Sequence, residues 1–263
     1  MIAFKGLYWK ELKVSLYDFY IMTGLSMFMF IAGFGLTSYF QEPGIVAVIS
    51  FIAFVMHVIY LPIFLLSSLG REGKTQLWLH NPNSGSKLLL AKLVAQLSYY
   101  FISLFIAFLV TYWTVNQAMR TGLFLEFQDQ VLRGLIFVGV SITLMTIYFG
   151  IWVIFYWSFY HSMKGITYLK NIRWLMIFFV WMAISAIGNY IRFHPLFEKV
   201  TSIGVIQIHV LQGISFQVEQ EGANLTPDIG IINFSIIGGL LYTILIIAVF
   251  FISVWLLERK VEV

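Results

Sequence analysis

Six long apolar runs constrain this chain more than any other feature. They cover residues 19–40, 45–67, 88–115, 131–160, 172–191 and 230–257. Each reaches the roughly 20 predominantly apolar residues that an α-helix needs to cross a hydrocarbon core about 30 Å thick. Membrane β-strands would instead alternate apolar and polar residues over about 10 positions. The runs are longer and do not alternate; residues 175–180 are continuously apolar. Composition agrees: 60% of the 263 residues are hydrophobic and only 11% are charged, against about 25% charged in a soluble domain. The expectation is an all-α integral membrane protein with six transmembrane helices, folded as a single permease-like domain over 1–263.

Lys and Arg are enriched in cytoplasmic loops, so their distribution orients the spans. An even number of spans puts both termini on one side. That side holds Lys5, Lys10, Lys13, Arg71, Lys74, Lys87, Lys92, Lys164, Lys170, Arg173, Arg259 and Lys260, whereas the other holds Arg120, Arg133, Arg192 and Lys199. The asymmetry predicts a multi-pass protein of the plasma (cytoplasmic) membrane with N-in and C-in topology. Basic residues precede the first run, but no small-residue cleavage motif closes it, so no cleavable signal peptide is expected.

Residues 1–17 read as an N-terminal amphipathic helix. Phe4, Tyr8 and Leu12 share a broad face, with Lys10 and Lys13 opposite. Such a segment lies in the membrane interface or serves as a basic anchor that sets topology. The outer segment 192–229 is the longest loop. Within it, 202–218 is apolar but dotted with Gln207, His209, Gln212 and Gln217. It reads as an amphipathic helix or a re-entrant segment, although 205–210 alternates like a strand.

The inner loop 68–87 is the most informative stretch. Glu72 to His80 has the makings of a short helix, stopped by Asn81-Pro82-Asn83 because proline restricts the preceding residue and lacks a donor. Leu77, Trp78 and Leu79 form an apolar cluster rimmed by charge. That pattern reads either as a docking surface or as a Trp at the headgroup boundary. Gly73-Lys74-Thr75 is not a phosphate-binding loop. The required first glycine falls at Ser68, and the preceding segment is a membrane span rather than a strand. ATP, if used, must be bound by a partner.

The stretch Glu72-Gly73-Lys74-Thr75, then Leu77-Trp78-Leu79-His80-Asn81-Pro82, then Ser86-Lys87 with the Leu-rich run to Leu93 resembles the inner loop of ABC type-2 exporter permeases. Within that family the chain looks most like small Gram-positive peptide exporter permeases of the phenol-soluble modulin exporter type. The resemblance implies that 72–82 is a coupling helix seated in a groove of a separate ATPase subunit, through Glu72, Lys74, Thr75, Leu77, Trp78, Leu79, His80 and Asn81. It implies that the N-terminal residues Phe4, Tyr8, Lys10 and Lys13 belong to a connecting helix. It also implies that part of 192–229 forms short re-entrant helices over the outer exit. The chain itself would hold no cofactor; ATP and Mg would sit on the ATPase. A second permease subunit, identical or related, and an amphipathic peptide substrate complete the implied partners. Nucleic acid is not among them.

Polar groups inside spans are costly and often functional. His57 in span 2 reads as a lining of a substrate path or, more simply, as an interhelical hydrogen-bond partner. Phe28, Phe30, Phe34, Phe51 and Phe54 are the candidate aromatic wall of that path. Tyr99, Tyr100, Trp113, Trp152, Tyr156 and Trp157 read as interface belts. The five histidines are scattered over different spans and sides, so no metal site is expected, and no carboxylate pair suggests catalysis. The reading from another class is a membrane sensor or scaffold that recruits a cytoplasmic partner through the same loop without transport.

Overall fold

The computed structural model describes residues 2–75, 82–120, 131–163, 168, 171–219 and 222–259, with backbone alone for residues 2, 75, 208–219 and 222–233. In chain order the helices are α1 (Ile2–Phe40), α2 (Gly44–Val55), α3 (Tyr60–Thr75), α4 (Gly85–Arg120), α5 (Val131–Ser162), α6 (Arg173–Arg192), α7 (Pro195–Thr201) and α8 (Ile236–Arg259). A 3-10 turn, Met56–Ile59, joins α2 to α3. Strands β1 (Val205–Glu219) and β2 (Gly222–Ser235) precede α8.

Six helical segments are long and apolar enough to span a bilayer: Ala3–Phe40, Gly44–Lys74, Gly85–Arg120, Val131–Ser162, Arg173–Arg192 and Ile236–Arg259. Four of them have 31 to 38 residues. At 1.5 Å per residue they outreach a core of about 30 Å, so a turn or more of each lies beyond the hydrocarbon.

The chain divides into two compact units, Met1–Asn171 with Val249–Val263, and Ile172–Ala248. In the first, α1 packs on α2 and α4, and α3 packs on α4 and α5. Phe30, Phe54, Tyr60, Phe64, Tyr100 and Leu104 form its buried core. Lipid gives helices no hydrophobic reason to associate, so small residues and polar pairs hold them together. Gly150 lets α5 meet α3 closely: a Cβ there would stand 2.9 Å from Leu65 Cδ1 and 3.1 Å from Leu61 Cδ2. The Ser50 and Thr114 hydroxyls share a hydrogen bond of 2.6 Å between α2 and α4, and Thr111 donates to the Ser50 carbonyl at 3.0 Å. Span 2 breaks its α-geometry at Met56–Ile59 because Pro62, one turn on, has no N–H for the carbonyl of residue 58.

In the first unit the turn between α1 and α2 is tight. Gln41 adopts a positive φ of 59°, the left-handed cap that ends many helices. Val46 then donates its backbone N–H to Thr37 Oγ1 at 3.0 Å.

The second unit departs from an all-α chain. β1 and β2 pair as a long antiparallel ribbon, with Val205 opposite Ser235 and Glu219 opposite Gly222, and a register shift between Leu211 and Gly213. The helical or re-entrant expectation for 202–218 is therefore corrected over 205–218 in favour of the strand-like alternation. Among the described residues between α6 and α8, α7, seven residues long, is the helical part. The last span also starts later than expected, at Ile236 rather than 230. Hydropathy alone does not separate a buried helix from an apolar strand. Pairing of Ile229, Ile231 and Ile232 with β1 decides it.

Candidate functional site: an ion cluster joining α1, α3 and α4

The α1 helix runs unbroken from Ile2 through Phe40, so residues 2–17 continue directly into span 1. Leu7, Glu11 and Ser15 recur every four residues and are buried, as the helical period requires of one face. Phe4, Tyr8 and Leu12 flank that stripe half-buried, and Lys10 and Lys13 are exposed. A carboxylate sits at the centre of the buried face.

Glu11 meets Lys92 of α4. Lys92 Nζ lies 2.6 Å from Glu11 Oε2, donates to Ser68 Oγ of α3 at 2.5 Å, and stands 3.4 Å from Glu72 Oε2. Lys10 Nζ closes the ring, at 3.4 Å from Glu11 Oε1 and 3.4 Å from Glu72 Oε1. Each ammonium thus touches both carboxylates, and the four charges sum to zero. The Lys92 side chain is 1% exposed and Glu11 5%. An ammonium has three donors; Lys92 hydrogen-bonds Glu11 and Ser68 and adds the longer ion pair to Glu72. Ion pairs this dry contribute little net stability, because desolvation offsets attraction. Their value is geometric: they admit one arrangement of α1, α3 and α4.

A second clamp lies about two turns further along α1. Arg71 donates from Nη2 to Asp18 Oδ2 at 2.6 Å and from Nη1 to Oδ1 at 3.1 Å. Ser67 bridges the same pair, accepting from Arg71 at 3.1 Å and donating to Asp18 at 3.3 Å. The fork of two parallel bonds fixes orientation as well as distance. Tyr8 OH with Ser98 Oγ at 3.0 Å, and Tyr99 OH donating to the Leu12 carbonyl at 3.0 Å, add ties between α1 and α4.

α3 ends and α4 begins beside this cluster. Gly73 faces α5 so closely that a Cβ would lie 3.0 Å from His161 Nε2 and 3.2 Å from Trp157. At the other end, Glu258 of α8 accepts from the Gly85 backbone N–H at 2.7 Å. Its carboxylate caps the start of α4, where helix N–H groups lack partners and the dipole favours negative charge. Glu72 does not begin a separate helix; it sits in the last turns of α3, which continues to Thr75. Lys74 beside it is exposed. The coupling positions Leu77, Trp78, Leu79, His80 and Asn81, and the side chain of Thr75, lie outside the described residues.

The structure does not gather the proposed substrate path. Phe30 and Phe54 are buried in the core, whereas Phe28, Phe34 and Phe51 are exposed. His57 is buried, with Nδ1 3.0 Å from the Ala53 carbonyl and Nε2 3.0 Å from Ser103 Oγ of α4, the interhelical bond that is its simpler reading. His57 also borders a small cavity of about 170 Å³ with Met22, Met29, Met56 and Tyr60. Phe54 floors an open apolar groove of about 470 Å³ between α4 and α5. Two aromatics assigned to the membrane belts are buried instead: Tyr100 in the core and Trp157 beneath His161, their rings 4.2 Å apart. Among the described residues, no three His, Asp or Glu side chains converge as a metal site would require.

No family model matches the chain. Full-length similarity does exist. An uncharacterized protein of Bacillus subtilis (strain 168), YhcE, is 26% identical over 269 residues, spanning 100% of both chains. No solved structure matches. The likeness to YhcE assigns no activity to the chain.

Glu11, Ser68 and Lys92 are the residues that sequence reasoning missed. Glu11 and Lys92 are 81 positions apart. Their signal was a carboxylate and an amine placed at the polar margins of two spans, where chance charges are also common.

Proposed function

We propose that the chain is the membrane-spanning permease subunit of an ATP-driven ABC type-2 exporter that moves amphipathic peptides out of the cell. ATP and Mg are bound by a separate ATPase chain, and a second permease subunit, identical or related, completes the assembly. The termini face the cytoplasm. The observation that carries this reading is the lock on α3. Its last turn is tied to α1 and α4 by Glu11, Lys92 and Glu72 immediately before the loop, so a load applied to the loop passes to three helices together. The asymmetric charge count supports the orientation, and the resemblance over residues 68–95 supports the partner. A helix bundle moved as a rigid body or about a hinge is a common switching device.

One observation favours the scaffold reading. His57, Phe30 and Phe54 are packed against neighbouring helices rather than around a passage. Both readings use the loop, and they separate on transport.

Replacing Leu77, Trp78 and Leu79 together by serine is expected to abolish recovery of ATP-hydrolysing activity with the tagged chain from its native membranes. The amount of chain in the membrane fraction should not change. ATPase recovery equal to that of the unaltered chain would overturn the assignment of the loop.

A further inference from the structure

The first half of α1 has a second ordered face. Leu7, Glu11 and Ser15 mark the side that is buried. On the opposite side Lys5, Trp9 and Lys13 follow at intervals of four, and Leu16, Tyr17 and Tyr20 continue the stripe. All six are exposed. The stripe therefore points away from the other helices of the first unit.

Its charge is of one sign. Residues 2–20 contain two carboxylates. Glu11 is buried against Lys92, and Asp18 is held in the Arg71 fork. Among the described residues, ion pairs take up Lys10, Arg71 and Lys92 but neither Lys5 nor Lys13.

Depth adds to charge. The apolar run begins at residue 19, so Tyr17 and Tyr20 straddle the edge of the hydrocarbon, where tyrosine is enriched. Lys13 stands about 9 Å before that edge at 1.5 Å per residue, and its flexible stem lets the ammonium adjust along the headgroup layer. Helical side chains lean toward the N-terminus of their helix, which carries the tyrosine hydroxyls toward the turn of Lys13. One turn past Tyr20, a Cβ on Gly24 would meet nothing within 4 Å. Tyr20 and Phe28, one turn to either side of it, are 63% and 67% exposed. The missing side chain between two projecting rings leaves an apolar notch just below the basic and hydroxyl groups.

A second copy of the chain is a poor occupant, since a symmetric contact would set lysine against lysine. A water-soluble partner does not reach Gly24, which lies inside the apolar run. A lipid with a negative headgroup satisfies both levels at once.

We infer that this face of α1 is a binding site for an anionic diacyl phospholipid. The phosphate lies among Lys13, Tyr17 and Tyr20, Lys5 adds attraction from the next turns, and one acyl chain runs through the notch at Gly24. The site depends neither on export nor on which way the spans run.

The test uses the full chain in nanodiscs of equal phosphatidylcholine and phosphatidylglycerol, released into native mass spectrometry to count the lipids retained. The unaltered chain is expected to retain phosphatidylglycerol about ten-fold over phosphatidylcholine, as two lysines near an anionic headgroup can supply. The variant K5Q/K13Q should retain the two lipids nearly equally. K87Q/K199Q removes the same charge from exposed positions elsewhere and should leave the preference unchanged. Gly24→Leu enters open space, so folding is undisturbed, and it should weaken phosphatidylglycerol retention about three-fold with both lysines in place. Equal retention of the two lipids by the unaltered chain would overturn the inference. So would an effect of K87Q/K199Q as large as that of K5Q/K13Q, which would mean diffuse charge, or unchanged retention by Gly24→Leu. A change in the share of paired chains rather than in bound lipid would make the face a contact between copies and would overturn it too.

Discussion

Replacing Lys92 by methionine is expected to lower the unfolding free energy of the protein by about 3–5 kcal/mol, the cost typical of stranding one member of a buried ion pair. Without the ammonium, Glu11 stays in its dry position with Lys10 at 3.4 Å and the Ser68 hydroxyl at 3.3 Å, and Ser68 loses its closest partner. Methionine nearly matches the volume of lysine, so packing changes little and the loss is electrostatic. The double variant E11Q/K92M should recover much of the stability, because removing both charges also removes the desolvation penalty. Reversible unfolding followed by tryptophan fluorescence in nanodiscs measures all three proteins. If Lys92→Met costs no more than Lys13→Met at an exposed position of α1, the cluster does not hold the three helices.

Gly150→Leu should be nearly as damaging, at about 1–3 kcal/mol or somewhat more, as overpacking of tight cores commonly is. The hydrogen at this position is all that fits between α5 and the side chains of Leu61 and Leu65, both fully buried. Any larger group must push α3 away from α5. Because α3 also carries Ser68, Arg71 and Glu72, that displacement should disturb the ion cluster from a distance. Adding Leu65→Ala makes space and should restore part of the loss. The unfolding measurement used for Lys92 reports the non-additivity directly. A fully additive pair would mean that the two sites do not touch.

The spans were legible because the bilayer fixes their length, whatever the sequence inside them. The expected starts of spans 4 and 5 differ from those of α5 and α6 by no more than one residue. The ribbon was only half legible. The residues at 205–210 alternate, but 230–235 continue the apolar run of span 6 and read as helix until their pairing with β1 is known. The ion cluster was not legible in its connections. Glu11 and Lys92 enter a charge count as marks of sidedness, and only the packing of α1 against α4 makes them partners. The same holds for Gly150 and Gly73, whose small size matters solely because of what α3 and α5 bring to them. His57 was half legible: a buried imidazole in a span needs hydrogen-bond partners, and Ser103 with Ala53 supply them.

The most direct test of export is transport by proteoliposomes that contain the chain together with the ATPase recovered from its native membranes. The permease reading predicts that an amphipathic peptide supplied on the ATPase side stimulates ATP hydrolysis and accumulates across the bilayer, and that Lys92→Met uncouples the two. ATP hydrolysis with peptide binding but no accumulation would contradict it and leave the chain a scaffold.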